Sequence, residues 1–153
     1  MLIRLSLLIL IVATTLGAGC TLSSTPTSTS TETANINGLN LLGEWRVEYI
    51  AGRGVIDYSP ARVRFNEDGK LNGNASCNRF FGDYQQDGQR LIIKEPLGAT
   101  RMLCVPALNE QEERLLAALP GTHNIAIRHG ILTLTDDGGN EVLRAAKLDP
   151  TDT

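Results

Sequence analysis

Between Trp45 and Ala146 the chain alternates apolar and polar residues over short stretches, reset each time by a glycine-containing turn. This period of two limits the fold more than any other feature, because it places one face of each stretch in a core and the other in water. From Leu42 to Ile50, Trp45, Val47 and Tyr49 alternate with Glu44, Arg46 and Glu48, which predicts a strand burying the first three. Over 61–66, Val63 and Phe65 stand against Arg62 and Arg64 in the same way. Glu67-Asp68-Gly69-Lys70 then reads as a hairpin turn in which Gly69 supplies a positive φ. Further strands are predicted at 71–77, 79–84, 90–95, 124–128, 131–135 and 141–146, with turns at Gln86-Asp87-Gly88, His129-Gly130 and Asp136–Asn140.

One segment carries the helical period instead. Leu108, Glu112, Leu115, Leu116 and Leu119 fall on one face, Pro106 precedes them, and Pro120-Gly121 stops them. Glu110, Glu112 and Glu113 stand near the start, where they would suit the positive end of the helix dipole. The pattern predicts a single helix that covers an antiparallel sheet or plugs one end of a small barrel. The competing reading is an exposed amphipathic helix, whose acidic start anionic lipid would repel.

The amino-terminal quarter has a different composition. Residues 1–19 have one basic residue, Arg4, an apolar run from Leu5 to about Leu16, and three small residues before Cys20. That is the layout of a secretory signal peptide, and the run is short of the roughly 20 apolar residues that a membrane span needs. Gly17-Ala18-Gly19-Cys20 resembles a bacterial lipobox, in which Cys20 is lipidated and becomes the first residue. The competing reading is an ordinary signal-peptidase site with an incidental cysteine. Thr21 in place of Asp favours the outer membrane, by resemblance to enteric lipoproteins. Residues 20–38, rich in Ser and Thr, bury too little apolar surface to offset ordering entropy and read as a tether. The folded part is therefore 39–148, followed by a short tail over 149–153.

With 14 Lys+Arg against 17 Asp+Glu and no basic run, the chain lacks the positive stripe that nucleic-acid binding requires. Once Cys20 is assigned to lipid, Cys77 and Cys104 remain, an even number in an oxidising compartment. A disulfide between them would close a loop worth roughly 3–3.5 kcal/mol on the chain-entropy model. Two buried thiols, or a redox or metal site, are the alternatives, although no CxxC spacing is present. His123 and His129 would lie about 20 Å apart on a continuous strand, too far for one metal ion. Ser76 has no nucleophile elbow around it. The acid pairs Glu112-Glu113 and Asp136-Asp137 read as solvated residues of a helix start and a turn. Asn78 and Arg79 are the polar positions of most interest, since side chains there either satisfy backbone at a tight turn or face a ligand. No catalytic residue, metal or cofactor is assigned.

The stretch FNEDGKLNGNASCNRFFGDY from Phe65, the later Thr100-Arg101-Met102-Leu103-Cys104, and the Leu108-Asn109-Glu110 helix start together resemble the META domain, and within it the HslJ-like bacterial lipoproteins. Gly43-Glu44-Trp45 opens the match, and Ser76 stands where many members have Gly. The resemblance implies an α+β fold, a small curved, barrel-like antiparallel sheet with one covering helix, often carried on lipoproteins and associated with heat shock or envelope stress. It implies no reaction. Three functional readings follow: a non-enzymatic outer-membrane lipoprotein facing the periplasm and contacting an envelope protein or a ligand; a carrier holding a small hydrophobic molecule inside a barrel; and an inhibitor or chaperone-like module using a sheet edge.

Overall fold

The computed structural model describes residues 39–149. The leader, Cys20, the tether to residue 38 and residues 150–153 lie outside the described residues. Ten strands and one helix make up the fold: β1 (Gly43–Ile50), β2 (Arg53–Gly54), β3 (Arg62–Phe65), β4 (Lys70–Asn74), β5 (Arg79–Asp87), β6 (Arg90–Ile93), β7 (Gly98–Ala99), α1 (Pro106–Ala118), β8 (Asn124–Arg128), β9 (Ile131–Thr135) and β10 (Glu141–Lys147). All pairings are antiparallel, in the order β10-β9-β8-β6-β5-β4-β3-β1, and β1 pairs back onto β10 to close a ring. The short β2 and β7 attach to β1 and β5.

The ring is not an even barrel. Between β6 and β8 the only residue pair in register is Arg90 with Asn124, flanked by the Leu91 N–H to His123 carbonyl bond at 3.0 Å and the Ile125 N–H to Gln89 carbonyl bond at 2.8 Å. Its inside is filled by Trp45, Phe65 and Phe80 on one side and by Leu91, Leu132, Leu134 and Leu143 on the other, all buried. This division follows the sequence, which has no aromatic residue after Tyr84.

The expected strands are present with small shifts at their ends, and β2 and β7 are additional. The alternation in β1 fails after Val47. There the register with β10 slips, Val47 opposing Ala145 and Tyr49 opposing Arg144, so Glu48 is the extra residue of a bulge. One inserted residue turns every later side chain to the opposite face. Ile50 is therefore buried, while Tyr49 is 37% exposed and lies under the Arg144 guanidinium, 3.8 Å from its ring centre.

The helix starts at Pro106, so its acids fall beyond the first turn, where the dipole no longer favours them strongly. Its buried line is Gln111, Leu115 and, in the 3-10 turn that follows, Leu119, with Leu108 and Leu116 only half-buried. The Gln111 amide N–H donates to the hydroxyls of Ser59 and Ser76, both at 2.6 Å, and its carbonyl accepts the Ile56 N–H at 2.7 Å. α1 thereby covers the end of the ring formed by the β2–β3 and β4–β5 loops. The turns at Gly69 (φ 75°) and at His129 and Gly130, both at positive φ, are built as expected, whereas the one expected at Gln86-Asp87-Gly88 falls at Gly88-Gln89, with Gln86 and Asp87 paired in β5.

Candidate functional site

Residues directly opposite each other in an antiparallel pair point to the same face, so the registers of β1, β3, β4 and β5 fix what the outside of the ring presents. One row runs Arg46, Arg62, Asn74, Arg79, and the next Glu44, Arg64, Asn72, Phe81, ending on Gly98 of β7. At the strand spacing of about 4.8 Å the first row is about 14 Å long. Of these two rows, Glu44, Arg62, Asn72, Asn74, Arg79 and Phe81, with Pro60 beside them, line an open groove of about 510 Å³.

The charges of the groove are unevenly matched. Glu44 accepts a hydrogen bond from Arg64 at 2.6 Å and stands 3.9 Å from Arg62. Arg46 stands 3.9 Å from Glu48. Among the described residues no carboxylate lies within 4 Å of the Arg79 guanidinium. At the far corner of the same face Lys70 and Asp83 pair at 2.5 Å, the hydrogen bond holding the Asp83 carboxyl below its usual range and raising the Lys70 ammonium. Phe81 is 61% exposed beside these groups. Its ring rests on the backbone of Gly98, where a Cβ would lie 2.4 Å from the ring carbons.

Beneath the groove, Asn78 ties three segments together and is only 3% exposed. Its backbone N–H donates to Glu112 Oε2 at 2.6 Å, and its side-chain amide donates to Glu112 Oε1 at 3.0 Å and to the Met102 carbonyl at 3.3 Å. Its Oδ1 accepts from the Thr100 hydroxyl at 2.8 Å and the Met102 N–H at 2.7 Å. Glu112 is thus not a solvated helix acid but the helix's anchor to the β4–β5 loop. Cys77 and Cys104 are joined by a disulfide with their Cα atoms 5.9 Å apart. Together these bonds pin the 100–105 loop, whose Leu103 is 98% exposed.

Of the two polar positions singled out in the sequence, Asn78 has its side chain occupied internally and Arg79 faces the groove. Ser76 is buried, at φ 112°, its hydroxyl bonded to Gln111. That backbone conformation suits glycine, which gives a physical reason for the glycine seen at this place in the resembling family. His123 and His129 stand at opposite ends of β8. Sequence reasoning missed Arg62, Asn72, Asn74 and Phe81 as neighbours of Arg79. Their outward alternation was visible, but the registers that align them were not.

The META domain family model matches residues 39–149. Solved structures with the same fold include an NMR structure of a protein at 27% identity and TM-score 0.54, covering 69% of this chain and 89% of that one. An NMR structure of a protein from Burkholderia xenovorans, at 25% identity and TM-score 0.51, covers 71% and 81%. A DUF4847 family protein from Bacteroides vulgatus, at 17% identity and TM-score 0.52, covers 72% and 97% and shows the fold alone. No curated protein matches the chain.

Proposed function

The chain belongs to the META domain family, and from that premise we propose that it is a non-enzymatic contact module of the bacterial envelope. It is held on the periplasmic side of the outer membrane through lipid on Cys20 and binds an anionic group of a ligand or partner protein in the groove of β1, β3, β4 and β5. Its service is to envelope integrity under stress. The observation that carries the binding reading is the row Arg62, Asn74 and Arg79 lining the groove, with Arg79 lacking an acidic partner among the described residues. Guanidinium groups present paired donors that match carboxylate and phosphate. The reading as a hydrophobic carrier finds no support in the packing, because Trp45, Phe65, Phe80 and the leucines occupy the inside of the ring. An edge-binding inhibitor would need a long free strand; β1 and β10 pair with each other, and the edges left where β6 and β8 diverge belong to strands of only four and five residues.

Titration of the full chain with pyrophosphate, followed through its backbone amide NMR signals, tests the groove. Shifts confined to Arg62, Asn72, Asn74 and Arg79 are expected, and an unchanged spectrum would contradict the reading. Anchoring is tested by fractionating cells that carry Cys20→Ala: the protein should move from the membrane to the soluble periplasmic fraction, and continued membrane attachment would count against the lipid anchor.

A further inference from the structure

We propose that the ligand of this groove is an anionic saccharide, a pyranose unit bearing a carboxylate or a phosphate; this deepens the proposed function and rests on its anion-binding reading. Three kinds of group meet in the groove. The first is a flat apolar platform. Phe81 sits on the outer face of the sheet, and a side chain at position 98 could not coexist with its ring, since a Cβ there would lie 2.4 Å from Cε2 and Cζ. The missing Cβ lets the ring lie on the Gly98 backbone while leaving it 61% exposed. An exposed aromatic face resting on backbone, with polar side chains across from it on β4, suits a ligand that is itself apolar on one face and polar around its edge. A pyranose has that shape, with axial C–H bonds on one face and hydroxyls at its rim.

The second group is the pair of side-chain amides. Asn72 stands directly across from Phe81, and Asn74 directly across from Arg79. An amide offers both donors and an acceptor, which serves hydroxyls and is of less use to a bare anion. Glu44, at the other edge, adds carboxylate oxygens that can accept from hydroxyls. The third group is cationic: Arg62 and Arg79 flank Asn74 in one row, so an acidic substituent can be held while the ring lies on Phe81. The volume of about 510 Å³ lies inside the range of about 300–1,000 Å³ usual for small-molecule sites. The lining run Arg62, Asn74, Arg79 spans about 10 Å at the strand spacing, which exceeds one sugar ring and admits a short chain of them. An acidic peptide would use the arginines but not the platform. A nucleotide would use both, but a base is held best in an enclosed slot, and this groove offers one aromatic face at an open edge.

The test is calorimetric titration of the full chain with a short galacturonate oligomer, glucose 6-phosphate, the neutral galactose oligomer, inorganic phosphate, AMP and a hexaglutamate peptide. The galacturonate oligomer or the sugar phosphate should bind at least about tenfold more tightly than the last four, a difference of about 1.4 kcal/mol. Arg79→Gln and Phe81→Ala should each remove most of that gain with the melting temperature unchanged, and Arg53→Gln, beside Glu110 on α1, should leave it intact. Equal binding of phosphate or hexaglutamate would overturn the saccharide inference and leave the anion reading standing. Binding of AMP or of the neutral oligomer as tight as that of the acidic sugars would overturn it as well. Failure of every anion would overturn both.

Discussion

Asn78 shows how one side chain can decide the shape of a site without entering it. Its amide and backbone make five hydrogen bonds to Thr100, Met102 and Glu112, beside the Cys77–Cys104 disulfide. Asn78→Asp should therefore cost about 2–4 kcal/mol, because it removes two donors and sets a carboxylate against Glu112. The new acid would have its folded pKa raised by Glu112, so the loss should be larger at pH 7 than at pH 4, read by denaturant unfolding at both. The sequence marked Asn78 and Arg79 as a pair but did not separate their roles. Asn78 is the last residue of the buried β4–β5 loop and Arg79 the first of β5, where Phe80 points into the core and Arg79 to the outside, a boundary that the sequence does not mark. Gly73 is a second case in which neighbours set the residue: a Cβ there would lie 1.9 Å from the Arg62 carbonyl oxygen and 2.7 Å from the Phe80 ring. The expected strand over 71–77 contains this glycine, but the close approach of β3 that requires it is set by the Val63–Gly73 pairing.

At the scale of elements, the period of two located every long strand, and the period near 3.6 located the helix. What it could not locate was the bulge at Glu48, which turned Tyr49 outward, because a single extra residue leaves the local pattern intact and changes only the pairing. Nor did the helical face reveal that Gln111 is buried, since a polar residue at that position becomes tolerable only when Ser59, Ser76 and Ile56 arrive from distant loops. The β9–β10 connection, in contrast, is held by local bonds. Asp136 accepts from the Asn140 side chain at 2.9 Å and from its backbone N–H at 2.8 Å, and these bonds, the side-chain one foremost, hold its carboxyl below the usual range. A carboxyl depressed in the folded state contributes stability above its unfolded pKa of about 3.9 and loses it as pH falls through the folded value. Thermal melts from pH 6 to pH 2 should show that decline, and Asp136→Asn should be less stable than the parent at pH 6 and converge with it at the acid end. A constant gap across the range would remove the carboxylate from the account.

For the whole molecule, the closed ring explains why the groove lies on the outside. Eight strands that return to their start enclose a core filled by their own side chains, so a ligand is offered the outer face, where β3, β4 and β5 follow one another as hairpins. That consecutive order was within reach of the sequence. The β1–β10 closure was not, because it joins residues about a hundred positions apart. The disulfide and the Asn78 bonds fasten the 100–105 loop and α1 to the end of this ring and so keep β5 and its groove residues in place. The central claim, that this outer face is where the protein meets its partner, is tested most directly in living cells. A photoreactive residue placed at Pro60 or at Asn72 of the full chain, both lining the groove, should give adducts on illumination that disappear when Arg79→Gln is added. The same residue at Arg128, at the end of β8, should give none. Adducts of equal yield at Arg128, or adducts at Pro60 and Asn72 that survive Arg79→Gln, would contradict the account.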